Sequence, residues 1–232
     1  MASTIALLRQ LKDNLARTRR EGVRFRPDVR KIIYPFRVLN HPVTAFTEVK
    51  YEKAGSMLLA NIILVLFFIE SIVDYVSTGF TFNLNKPTDV NIWLIFSRTV
   101  VIVALWVVAS WAMGTFMDGE GKVREIWITT CYTLMPQVLL ILPRVLLSNV
   151  LTIEESAFLT ILSAVTGGWT ILLLCLSVMV VQQYSLVKTI LAVTLNAAGV
   201  VIIMFLAVLF FSLFQQFFTF LMTIYREASF RM

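Results

Sequence analysis

The stretch that decides the fold is MLLANIILVLFFIESIVDY, residues 57–75. Its 19 residues make about 28 Å at 1.5 Å per helical residue, close to the ~30 Å hydrocarbon core of a bilayer, and its first charged residue, Glu70, comes late in the run. Four more segments read the same way, at 92–113, 127–147, 158–181 and 186–213. In lipid the backbone has no water to bond, and a segment of this length satisfies its own N–H and C=O groups only as a helix. The sequence therefore predicts an all-α protein, a polytopic transmembrane bundle of five helices. Composition agrees. Of 232 residues, 58% are apolar and 15% charged, with a mean hydropathy of +0.82, against about 45–50% and 25% in soluble domains.

Charge divides the chain in two. Residues 1–55 carry 12 Lys/Arg and 5 Asp/Glu, whereas 56–232 carry 8 and 9. This predicts a basic N-terminal region (1–55) with amphipathic surface helices and a five-helix membrane domain (56–232). The net charge of +6 is thus local to one end, where an anionic leaflet is the natural partner and nucleic acid is not. No apolar run occurs early enough for a cleavable signal, so the first span is read as the targeting signal. The basic excess flanking the spans predicts a cytoplasmic N-terminus and a C-terminus on the opposite side of the cell membrane.

Both flanks show helical patterning. Ile5, Leu8, Leu11 and Leu15 recur at spacings of three and four among Arg9, Lys12, Arg17, Arg19 and Arg20. That pattern suits a basic helix on a membrane surface, the alternative being a basic tail that only enforces topology. Residues 42–53 suit a second surface helix, with Pro42 at its first position and Val43, Phe46 and Val49 on one face. At the other end, Phe214, Phe217, Phe218, Leu221, Met222 and Tyr225 form a helical stripe. No breaker follows Gly199, so the last helix is expected to run on to about Tyr225 as an amphipathic extension starting near 214. The stripe then covers lipid or this chain's own helices, or docks a partner protein.

Ionisable residues inside spans are candidates for a role. Glu70 and Asp74 lie a turn apart in the first span, and Arg98 lies at similar depth in the second. They predict an interhelical ion pair, Glu70–Arg98 first. Small residues (Ser163, Ala164, Gly167 and Gly168 in the fourth span; Asn196 and Gly199 in the fifth) predict close pairing of those two helices. Pro136 and Pro143 predict a kink in the third span, and Thr152 with Glu155 a capping box before the fourth.

No catalytic residues, cofactor site or metal site emerge. His41 is the sole histidine, and Cys131 and Cys175 both fall in apolar blocks. No phosphate-binding or dinucleotide glycine motif occurs. The run Asp118-Gly-Glu-Gly-Lys reads as a polar turn whose glycines supply positive φ.

Residues 116–136 read FMDGEGKVREIWITTCYTLMP. The glycine pair Gly119 and Gly121, then a helix with Tyr132 four residues before Pro136, resembles the Yip family (Ypt-interacting-protein domain). FRVLNHPVTAFTEVKYEKAGS before the first span, SNVLTIEE before the fourth and QQYSLVKTI leading into the fifth are similar to that family's bacterial branch. The resemblance implies five spans, a cytoplasmic N-terminus and no catalytic activity. The eukaryotic branch typically has glycine where this chain has Cys131, and its acidic Asp-Leu-Tyr-type motif has no counterpart here, which argues against a role in vesicle budding. Bacterial members look like accessory companions of carbohydrate-uptake ABC transporters. The resulting expectation is a non-enzymatic accessory or scaffold subunit that binds other integral membrane proteins, ABC transporter permeases among them. The alternative is a small transporter or channel whose oligomeric polar path uses Glu70, Asp74, Arg98 and Asn196.

Overall fold

The computed structural model describes residues 27–79, 82 and 90–230. Two short helices, α1 (Pro27–Asn40) and α2 (Pro42–Tyr51), precede five long ones. These are α3 (Met57–Ser77), α4 (Ile92–Phe116), α5 (Val123–Val150), α6 (Ser156–Gln182) and α7 (Leu186–Phe230). Each of the five is long and apolar enough to cross a membrane, and no strand occurs among the described residues. The five spans therefore stand as expected. We call the end bearing α1, α2 and the α4–α5 and α6–α7 turns the near end, and the opposite one the far end.

Helix α5 is the axis of the bundle. It is 61% buried across its most apolar window, against 22% for α3 and 6% for α7. Its hydropathy, lower than that of the other four spans, reflects that position: protein rather than lipid surrounds it, so threonines are tolerated where they bond locally. Thr129 Oγ1 donates to the Glu125 carbonyl at 2.9 Å and Thr133 Oγ1 to Thr130 at 2.7 Å. Proline sets its break. Pro136 has no N–H to return to the Tyr132 carbonyl, and the helix stops at Thr133 and restarts at Met135. The Leu134 N–H closes the first half by bonding back to Cys131 and Tyr132. Pro143 sits within the second half.

Around this axis, α3 is tied to α5 by Trp127 Nε1 donating to Asn61 Oδ1 at 2.9 Å. It meets α4 through an edge-on Phe68–Phe96 pair with ring centroids 5.8 Å apart. A π-helical turn, Ser97–Val101, interrupts α4. The capping box forms as expected, with the Thr152 N–H and hydroxyl 3.1 and 3.2 Å from Glu155 Oε2. It opens a 3-10 turn, Ile153–Glu155, that leads into α6.

Helix α2 does not lie on a membrane surface through the face read from its sequence. Phe46 and Val49 are buried in one core with Ile63, Tyr132 and Leu173 of the bundle, while Val43 is exposed. Ala45, not Val43, completes the inward face. Helix α1 adds Tyr34 and Val38 to the same core. Helix α7 runs unbroken from Leu186 to Phe230, about 67 Å at 1.5 Å per residue. Only its first half packs against the bundle.

Candidate functional site

The near end gathers residues of three of the stretches that carry the family resemblance around Gln182, the last residue of α6. Helix α6 ends because Gln183 turns left-handed, at φ 58° and ψ 40°, and Tyr184 N–H bonds back to the Met179 carbonyl at 3.0 Å. The buried Gln182 amide uses both its poles. Its Oε1 accepts from Gly121 N–H at 3.0 Å, and its Nε2 donates to the Ser110 carbonyl at 3.1 Å. One side chain thus joins the end of α4, the α4–α5 turn and α6.

Space explains the glycines of this turn. A Cβ on Gly114 would lie 2.7 Å from Gln182 Nε2, and one on Gly121 2.9 Å from Gln182 Oε1. A Cβ on Gly119 would collide with Gln182 Oε1 and come within 2.6 Å of the Tyr184 hydroxyl. The sequence reading assigned these glycines to positive φ, and the structure corrects it: the left-handed residue of the turn is Asp118, at φ 54°. Side-chain clearance is what the glycines supply.

Lys50 completes the junction from α2. Its Nζ donates to the Val181 carbonyl at 2.9 Å and pairs with Glu120 at 3.2 Å. A cation at a helix C-terminus meets the negative end of the helix dipole and an unpaired carbonyl. The Lys50 side chain is only 8% exposed and that of Glu120 is 67% exposed, so the carbonyl, rather than the solvated carboxylate, fixes the lysine. Beside it, burial and the nearby Asp118 carboxylate push the Tyr184 phenol above its usual range. Lys188 lies 4.6 Å over its ring.

Tyr132 is fully buried, and its hydroxyl takes the Ser56 N–H at 3.1 Å and reaches the Ser56 carbonyl at 3.4 Å. It holds the residue that opens α3. Its ring lies 6.3 Å from that of Tyr34. Tyr34 Oη donates to the Ala45 carbonyl at 2.6 Å and to Glu48 at 3.1 Å, and Arg37 forks onto both Glu48 oxygens at 3.0 Å. Burial first, then the Glu48 charge, raises the Tyr34 phenol well above its ordinary value, so it stays a donor. Pro136 starts the second half of α5. Gly119, Gly121 and Tyr132 of the family motif therefore organise the near end, while Pro136 sets the break midway along α5.

The other sequence-predicted residues fall elsewhere. Glu70 and Arg98 form no ion pair; among the described residues Arg98 has none, and it is exposed within the π-helical turn of α4. Asp74 pairs with Arg144 of α5 instead, at 3.6 Å. The sequence reading treated α3 and α4 as the facing pair at this depth, but α5 is the central helix and presents the cation. At the same far end, Ser148 Oγ accepts from Gly79 N–H and Asn149 Nδ2 donates to the Ser77 carbonyl, both at 3.0 Å. These two residues open the stretch SNVLTIEE.

The expected seam between the fourth and fifth spans is also revised. A Cβ on Gly167 or Gly168 would meet nothing within 4 Å, and Ser163 bonds only to the Leu159 carbonyl of its own helix. Gly199 faces α4, where a Cβ would lie 3.4 Å from both Ala109 and Met113. Asn196 is buried on that face of α7. Small residues allow close approach without compelling it, and α6 spends its inward face on α2 and α5 instead. Glu70, Asp74, Arg98 and Asn196 consequently do not converge on one path. Phe214, Phe217, Phe218 and Leu221 are exposed. Tyr225 lies within α7, its side chain outside the described residues, as are Arg9, Lys12, Arg17, Arg19 and Arg20.

Sequence reasoning missed Gln182 and Lys50. The signal for Gln182 was that it opens QQYSLVKTI; nothing local marks Lys50. Among the described residues no group of His, Cys, Asp and Glu could hold a metal ion, and the thiol of Cys131 is buried. The arrangement ties helix ends together and offers no nucleophile–base pair.

No curated protein and no solved structure matches the chain. The Yip1 domain family model matches residues 36–214, a span that begins in α1, takes in the junction around Gln182 and ends in α7. With that match covering most of its length and five helices long and apolar enough to cross a membrane, the chain belongs to the Yip1-domain family of multi-span membrane proteins.

Proposed function

We propose that the chain is a non-enzymatic accessory subunit that holds other integral membrane proteins, with the outer half of α7 as its docking arm. One observation carries this reading. Phe214, Phe217, Phe218 and Leu221 continue the helical face that packs Gly199 onto α4, yet they are 44% to 57% exposed. Counting from the Gly199–Ala109 contact at 1.5 Å per residue, α4 begins level with roughly residue 216 of α7. The aromatic face therefore stands at and beyond the rim of the bundle. Phe214 and Phe218 already meet edge to face, centroids 4.8 Å apart. A rigid aromatic face on a projecting helix suits a groove in another membrane protein.

The similarity to bacterial members directs the search to permeases of carbohydrate-uptake ABC transporters. In this reading the basic N-terminal region faces the cytoplasm and rests on anionic lipid. Affinity isolation of the tagged chain from its native membrane is the test. Permease and ATPase subunits are expected in constant ratio, and the variant Phe217→Asp with Leu221→Asp is expected to lose them while remaining inserted. Recovery of the same partners with that variant would refute the docking face.

A further inference from the structure

The face of α7 opposite its α4 contact carries a second pattern, Ser212, Gln215, Gln216, Thr219 and Thr223, all exposed. At 100° per residue it lies roughly opposite Ala192, Asn196 and Gly199, so this chain's own helices cannot cover it. Ser212, Gln216, Thr219 and Thr223 are spaced four, three and four apart, the period of a two-helix seam. Residues 189–225 contain no Asp, Glu, Lys or Arg, and around the seam itself, from residue 200 to 224, the remaining faces are aromatic and aliphatic. A narrow uncharged line on so apolar a helix is unsuited to lying along a water interface, which calls for a broad polar or charged face and low net hydrophobicity. In an apolar environment it draws hydrogen bonds from another helix.

We propose that this seam pairs α7 with α7 of a second copy of the chain, side by side and parallel. The chemistry selects a copy rather than a different protein. Two copies inserted in the same sense meet about an axis normal to the membrane, and every seam residue then faces its own counterpart. Such a contact tolerates only groups that complement themselves. Amides and hydroxyls each donate and accept, and the seam holds nothing else. A charge there would face its like, and none occurs. The threonine hydroxyl protons are already used, Thr219 on the Gln215 carbonyl and Thr223 on Thr219, both at 2.9 Å. Their oxygens remain as acceptors. Gln215 and Gln216 have no partner among the described residues, which leaves their amide N–H groups to cross the seam. The family match ends at residue 214, so most of the seam lies beyond it and belongs to this chain's own extension. Because the seam and the Phe217–Leu221 face lie on opposite sides of α7, a pair of copies would present two docking faces outward.

Disulfide trapping in native membranes tests this. Gln216→Cys and Thr219→Cys are exposed substitutions that leave the bundle untouched, and Phe217→Cys and Leu221→Cys on the other face serve as controls. On mild oxidation, the first two are expected to give a disulfide-linked species of twice the chain mass, and the controls far less. Equal yields at all four positions would mean random collision and overturn the proposal. So would no dimer, or a cross-link to a protein of another mass. As a second reading, Gln216→Leu is expected to lower co-isolation of two differently tagged copies by about three- to tenfold. It should leave recovery of permease subunits unchanged, which separates this inference from the docking function. Undiminished pairing of copies by that variant would also count against the seam.

Discussion

At the scale of single residues, Gln182 and Tyr132 hold the near end, and their contributions are separable. Gln182→Ala removes two hydrogen bonds and leaves the Gly121 N–H and Ser110 carbonyl without their partner. Loss of about 2 kcal/mol is expected, seen as a lower unfolding temperature in detergent. Tyr132→Phe removes only the hydroxyl contacts to Ser56 and should cost about 1 kcal/mol. The glycines provide an internal contrast. Gly119→Ala forces a methyl against Gln182 and Tyr184 and should destabilise by about 1–3 kcal/mol. Gly167→Ala and Gly168→Ala meet open space and should be neutral or stabilise by up to about 1 kcal/mol, since alanine is the better helix former. If the α6 variants were the damaging ones, the sequence-based seam between the last two spans would be reinstated. This contrast marks the limit of residue-level reading. A glycine in a string tells that a Cβ is absent, while its reason, a neighbour's side chain or a neighbour's backbone, sits many positions away.

At the scale of elements, the spans were legible because hydropathy and length are local properties. The kinked third span, the capping box and the uninterrupted last helix were legible for the same reason. Pairings between helices were not. Choosing which cation meets Asp74 requires knowing that α5 is the axis, and the weak clue was that this span is the least apolar of the five. Arg144→Gln should therefore lower stability, by ~1 kcal/mol or less for a half-exposed pair, whereas Arg98→Gln should leave the unfolding temperature unchanged. A larger loss from Arg98→Gln would show that the acidic cluster is read wrongly. Helix α2 teaches the same lesson. Its amphipathic pattern fixed an apolar face but not the surface receiving it, and the receiver is the bundle core rather than lipid.

At the scale of the whole molecule, the protein is tightly tied at its near end and open along α7. Gln182, Lys50 and Tyr132 bind the ends of α2, α3, α4 and α6 to one another through direct hydrogen bonds. Helix α7 leaves that end through a short turn and contributes little to the core, 6% buried over its apolar window. Removing residues 212–230 should then leave the bundle folded, with an unfolding temperature close to that of the full chain, while abolishing both partner recovery and pairing of copies. That separation of folding from binding is what an accessory subunit with a projecting arm requires. The family was legible from the order of motifs along the chain. The arm's two faces were legible only in part, since the aromatic stripe stands out in the sequence and the polar seam shows once its opposite side is known to be occupied by α4.

Site-specific photo-crosslinking from α7 in native membranes tests the central claim most directly, with a photoreactive side chain placed at Phe217, at Leu221 and, as reference, at the buried Ala192. The account predicts adducts at 217 and 221 with an integral membrane protein other than this chain, and only internal adducts at 192. Adducts solely with lipid at 217 and 221 would contradict it.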